Sequence, residues 1–144
     1  MPKAASIFLG VLLTAGCSGP GTAPAGDGAA SARVTGTVTY LQRIALPPTA
    51  AIKVQLVDVS RADAPAVLLG EQIIQAGGKQ VPFAFAISYD PARIEANRSY
   101  AVQARIEEDG KLRFISDQHY GVITRGAPIH VDMVLKAVRG PMPR

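Results

Sequence analysis

YAVQARIEEDGKLRFI, residues 100–115, decides the fold class. Tyr100, Val102, Ala104 and Ile106 fall on one side of an extended chain while polar residues alternate with them, the period-2 pattern of a half-buried strand. Asp109-Gly110 supplies the dipeptide of a tight hairpin, whose two central residues take positive φ. Leu112 to Ile115 returns as the second strand. A lone hairpin is marginal in water and needs further strands against its apolar face.

The rest of the chain supplies them. Val34 to Tyr40 alternates apolar residues with threonine, and Gly36 falls on the apolar face, predicting a bulge or a close backbone approach. Leu46-Pro47-Pro48 ends that strand, because proline cannot donate to a ladder. Ala51 to Val59 follows with Ile52, Val54 and Leu56 inward, and then a polar turn over Ser60 to Pro65. Val67 to Gln75 is a third strand closed by Gly77-Gly78, and Val81 to Ser88 a fourth with Phe83, Phe85 and Ile87 on one face. Asp90 caps a single helical turn with Pro91 at its first position. Beyond the hairpin come a short strand around Tyr120 to Thr124 and a last one from Ile129 to Val138, with Ile129, Val131, Met133 and Leu135 inward. Seven or eight short strands and no long helix predict an all-β fold, an antiparallel β-sandwich, with a small closed barrel as the alternative.

Upstream of the domain, Lys3 precedes an apolar run from Ala4 to Leu13 that is too short to span a bilayer, which needs about 20 residues. The small residues Ala15 and Gly16 then lead to Cys17, the only cysteine. This is the order of a secretory signal, with cleavage expected after Gly16. The expected organisation is a signal over 1–16, Cys17 with a linker over 17–32, the β-domain over 33–140 and a tail over 141–144. Residues 18–32, SGPGTAPAGDGAASA, carry no large apolar side chain and cannot offset their ordering entropy. At about 5–6 Å × √n, such a tether reaches roughly 20 Å.

The run ending at Cys17 resembles the lipobox of bacterial lipoproteins, with Thr14 where leucine is usual and Leu13 one place further back. That resemblance implies a diacylglycerol on the Cys17 sulfur and an acyl group on its new amino terminus, with no other cofactor. One chain holds marginally at about 0.8 kcal/mol per buried methylene, and two or three hold for practical purposes permanently. Ser18 resembles the outer-membrane-directed class.

The net charge is +4, or +3 once Lys3 leaves with the signal (14 − 11). The basic residues are scattered, with no run that would track a phosphate backbone, and an exported protein does not meet the chromosome, so nucleic acid is not an expected partner. No serine sits in a Gly-x-Ser-x-Gly elbow and no Gly-rich phosphate loop is present. The two histidines, His119 and His130, each have an aspartate two residues away, Asp117 and Asp132, on the same strand face. Neither pair has a third soft ligand, and Glu107-Glu108-Asp109 sits at a hairpin end where charge is solvated, so no metal site and no catalytic group are expected.

From Val38 to Val138 the chain resembles the YbaY and YscW group of lipoproteins, which includes type III secretion lipoprotein chaperones, or pilotins. The match is carried by Gly36 to Tyr40 with Arg43 to Pro48, by Ala51 to Ser60, by Gln80 to Phe85 with Tyr89-Asp90, and by Tyr100 to Ile106 with Asp109-Gly110. It implies a periplasm-facing β-sandwich on a lipid tether and, for the pilotin branch, escort of an outer-membrane secretin. The candidate partner-binding residues are Arg43, Leu46, Pro47 and Pro48, where consecutive prolines form a stiff ridge that loses little entropy on docking, and Pro82, at a sheet edge where proline blocks further pairing or, with the edge beside it open, a partner strand adds. The alternative function is a module holding a small apolar or anionic envelope molecule.

Overall fold

A computed structural model describes residues 32–139; the expected cleavage at Gly16, the lipidation at Cys17, nearly all of the linker and the tail lie outside the described residues. The fold is all-β, with eight strands: β1 (Ala32–Tyr40), β2 (Ala51–Asp58), β3 (Val67–Gln75), β4 (Phe83–Tyr89), β5 (Tyr100–Glu108), β6 (Lys111–Ile115), β7 (Tyr120–Val122) and β8 (His130–Ala137). A single 3-10 turn, Pro91–Arg93, follows β4, and the Asp90 carboxylate caps it by accepting from the Ala92 amide.

The strands run in the order β3-β2-β5-β6-β8-β1-β4, with β7 also on β5. The two layers expected of a sandwich are thus the two sides of one curled sheet, joined where β6 meets β8 through Phe114↔Ala137 and Ile115↔Lys136. The result is a nearly closed barrel. Every pairing is antiparallel except β1 with β8, which runs parallel from Thr35↔His130 to Tyr40↔Leu135.

The inward residues read from the alternation fill the interior. Val34, Val38, Ile52, Val54, Leu56, Val102, Ile106 and Met133 are fully buried, and no buried residue among those described is polar or charged. Tyr40 stacks on Phe114 with ring centroids 4.3 Å apart and ring planes 17° from parallel. Asp109 and Gly110 both take positive φ, as the hairpin requires. At Gly36 a Cβ would fall on the Val131 carbonyl oxygen and within 2.9 Å of the Phe85 ring. The predicted close approach is therefore the contact that seats β8 beside β1.

The structure departs from the periodicity in three places. The fourth strand starts at Phe83, because Val81 and Pro82 lie in the connection before it. Ile129 precedes β8 and is 58% exposed, not inward. The strand around Tyr120 stops at Val122, because the chain reverses at Ile123.

Candidate functional site

The two ends of the strand path, β3 and β4, lie side by side without a backbone ladder between them among the described residues. They run antiparallel. At one end of this seam β3 crosses close to β4: a Cβ on Gly70 would sit 2.6 Å from Ile87 Cγ2 and 2.7 Å from the Ser88 carbonyl oxygen. One turn of the pleat further on, the Ala86 amide donates to Gln72 Oε1 at 2.7 Å, so a side chain stands in for a strand. Because Ala86 points its amide away from β1, period-2 geometry turns the Ala84 amide the same way.

The outer face of β3 carries Val67, Leu68 and Ile73, 53%, 47% and 51% exposed. β-bulges, prolines and lysines usually blunt such edges. Here the bulge falls between Leu56/Val57 and their partners, with Leu56 opposite Gly70 and Val57 opposite Leu68. It re-aims Leu68 outward, and no lysine interrupts β3. Ala84, Ala86 and Ser88 on β4 are small and exposed, so the edge beside them is sterically open.

The sequence-predicted ridge lies at the far end of the same seam. The loop after β1 is tied to the β3–β4 turn by Gly77 N donating to the Pro48 carbonyl (3.1 Å) and by Gln80, which accepts from the Leu46 amide (2.9 Å) and donates to its carbonyl (3.2 Å). This brings Pro47 and Pro48 to the segment that carries Pro82, with Arg43 earlier in the same loop. Arg43, Pro48 and Pro82 are exposed and Pro47 is half-buried. Leu46 corrects the sequence reading: it is 3% exposed and packs into the core, so it cannot be a surface contact. The apolar residues the loop does expose are Leu41 and Ile44.

Of the two histidines, His130 sits in a hydrogen-bonded row. His130 Nδ1 shares a hydrogen bond with Thr35 (3.0 Å) and Asp132 accepts from Thr37 (2.8 Å), a cross-strand row along the parallel pair. Asp117 pairs with Lys136, raising the ammonium pKa through its hydrogen bond and charge. No third histidine, cysteine or carboxylate joins either pair among the described residues.

At the opposite pole, residues 90–99 fold over the end of the barrel. Arg98 bridges Asp58 and Glu95, each at 3.0 Å, and Tyr100 Oη accepts from the Glu95 amide. The Ser60 hydroxyl, and then Arg98, hold the Asp58 carboxyl below the usual carboxylate range. The Thr124 amide donates to the Val122 carbonyl at 2.8 Å, closing a γ-turn at Ile123, whose φ is +73°. A β-branched residue there is strained by about 1–3 kcal/mol. Thr124 Oγ1 on the Arg98 carbonyl (2.7 Å) and Arg125 Nη2 on the Asn97 carbonyl (3.2 Å) hold it in place.

Sequence reasoning missed the β3 edge. Its signal was present: Val67-Leu68-Leu69 and Ile73-Ile74 are runs of adjacent apolar residues, and on a strand at least one of each run must face outward. The strained turn at Ile123 had no signal.

The fold and its open side together define a small, nearly closed β-barrel left unlaced along one seam. The chain belongs to the YscW family, whose model, described as type III secretion system lipoprotein chaperone, matches residues 29–135. It is 42% identical over 93 residues to the uncharacterized lipoprotein YbaY of Escherichia coli (strain K12), covering 65% of this chain and 49% of that one. The chain thus spans about half the length of that curated relative. Among solved structures it is similar to an alternative pilotin from the type II secretion system of Vibrio cholerae, with 51% identity and a TM-score of 0.74 over 76% of this chain and 99% of that one.

Proposed function

We propose that this chain is a non-enzymatic envelope lipoprotein, cleaved after Gly16 and acylated at Cys17, that binds an extended segment of an outer-membrane partner along the β3–β4 seam. The observation that carries the reading is the β3 edge, which exposes Val67, Leu68 and Ile73 beside a backbone edge bridged by one glutamine. A strand laid there gains main-chain hydrogen bonds from β4 and apolar contacts from β3, the two components of strand addition. Arg43, Pro47, Pro48 and Pro82 flank the end of that groove and extend the contact. Membership in a family described as lipoprotein chaperones, and likeness to a pilotin of a secretion system, favour a secretin-type outer-membrane protein as the partner class. The Ser18 that follows Cys17 favours retention at the outer membrane, facing the periplasm.

The test places a photo-cross-linking residue at Ile73 in cells. One dominant outer-membrane partner is expected, lost on Ala84→Pro, which deletes an edge amide not used by the β1 ladder. Arg43→Glu is expected to weaken the cross-link without abolishing it, and Cys17→Ser to lose the partner by releasing the protein. A cross-link unchanged by Ala84→Pro, with the fold intact, removes strand addition at β4 as the mode.

A further inference from the structure

We propose that the cavity between the 90–97 segment and residues 123–125 is a binding site for one alkyl chain of an anionic amphiphile. The cavity holds about 450 Å³, within the range of small-molecule sites. Tyr89, Pro91, Ile94, Ala96 and Ile123 give it an apolar lining, and Thr124 and Arg125 complete the wall.

Charge fixes the kind of head group. The acidic residues near this pole are already engaged: Asp90 caps the Ala92 amide, and Glu95 and Asp58 both pair with Arg98. Arg125 has no carboxylate partner among the described residues; its one hydrogen bond goes to the neutral Asn97 carbonyl. A guanidinium with unused fork donors recognises carboxylate or phosphate, in a way a point charge does not. The apolar wall beside it selects for methylenes next to that anion.

Strain supplies a second, independent pointer. The γ-turn places the Ile123 side chain among the cavity-lining residues, in a backbone conformation that isoleucine disfavours, and the Thr124 and Arg125 hydrogen bonds hold it there. Retained strain of this kind marks ligand clamps. Placement agrees as well: Tyr89, which lines the cavity, is the register partner of Ala32, the first strand residue after the N-terminal segment. The site therefore lies at the pole from which the chain runs toward Cys17. It shares with the seam's strands only Tyr89, the last residue of β4, and stands or falls without strand addition there.

Envelope membranes holding the full-length protein would be irradiated with two probes, a diazirine-bearing fatty acid and a diazirine-bearing phosphatidylglycerol. Adducts are expected on peptides spanning Tyr89–Ala96 or Ile123–Arg125. They should fall about tenfold in Arg125→Glu, since a reversed charge turns a salt link into repulsion. Labelling by the free acid alone assigns a diffusing amphiphile as the source, and labelling by the phospholipid a bilayer lipid; either supports the site. Arg125→Gln, which removes the charge without reversing it, gives the same reading should Arg125→Glu unfold. Adducts elsewhere on the chain, adducts indifferent to Arg125, or none from either probe would overturn the proposal.

Discussion

Two neighbouring strand pairs of the curled sheet, β1 with β8 inside the strand path and β3 with β4 at its two ends, are built in opposite ways. At the first, six register pairs join the strands, and a glycine clears space for the Val131 carbonyl. Outside, Thr35 and Thr37 bond His130 and Asp132 along the same row. At the second, a close approach at Gly70 and a single glutamine hold the edges together, and the backbone of β4 is otherwise unmatched on that side. One junction is a backbone ladder; the other is a contact in which a side chain stands in for the missing ladder. The difference does not lie in length, since β1 and β3 are both nine residues long. It lies in whether backbone groups find backbone partners.

The comparison breaks most severely at Gly36. Gly36→Val should cost about 3 kcal/mol or more in denaturant unfolding, because the new side chain meets a carbonyl oxygen that cannot move without parting β8 from β1. Gly70→Ala should cost less, about 1–2 kcal/mol, because the seam can open to admit the methyl; hydrogen exchange should quicken at Ala86 more than in β1. A Gly70→Ala cost equal to that of Gly36→Val would mean the seam is as rigid as the ladder. Gln72→Ala removes one neutral hydrogen bond and should cost about 1 kcal/mol, while raising the accessibility of the β4 edge in the Ile73 cross-linking assay.

The smallest expected effect lies at the pole. Asp58 has a folded pKa below that of a free carboxylate, chiefly through the Ser60 hydroxyl and then Arg98. Its stabilising contribution is full above the unfolded value of about 3.9 and is lost as pH falls through the lower folded value. Thermal melting followed from pH 7 down to about 2 should therefore decline less steeply on its acid limb in Asp58→Asn than in the parent. Identical acid limbs would place the acid sensitivity elsewhere.

Much of this was legible in the residues. Phe83, Phe85 and Ile87, or Tyr100, Val102, Ala104 and Ile106, alternate cleanly because each strand has one dry face and one wet one. Asp109-Gly110 announced its turn because positive φ leaves few residue choices. Leu46 misled because adjacent prolines look like a surface ridge. Whether the leucine before them turns inward depends on Gln80, 34 positions away, which brackets its backbone.

The sequence by itself determined an all-β domain, its strands, its hairpin and the inward face of most of them, because those follow from local alternation and turn chemistry. It also set Gly36 apart as a place where backbones would crowd. Only the tertiary structure decided that β1 and β8 pair in parallel, that the two layers join into one curled sheet, that β3 and β4 face each other unlaced, and that Ile123 and Arg125 meet Tyr89 and Ile94 around one cavity. Each of these depends on which distant segments become neighbours, and that choice is made by closing long loops around a shared core, a cost and a gain that no local window of sequence contains.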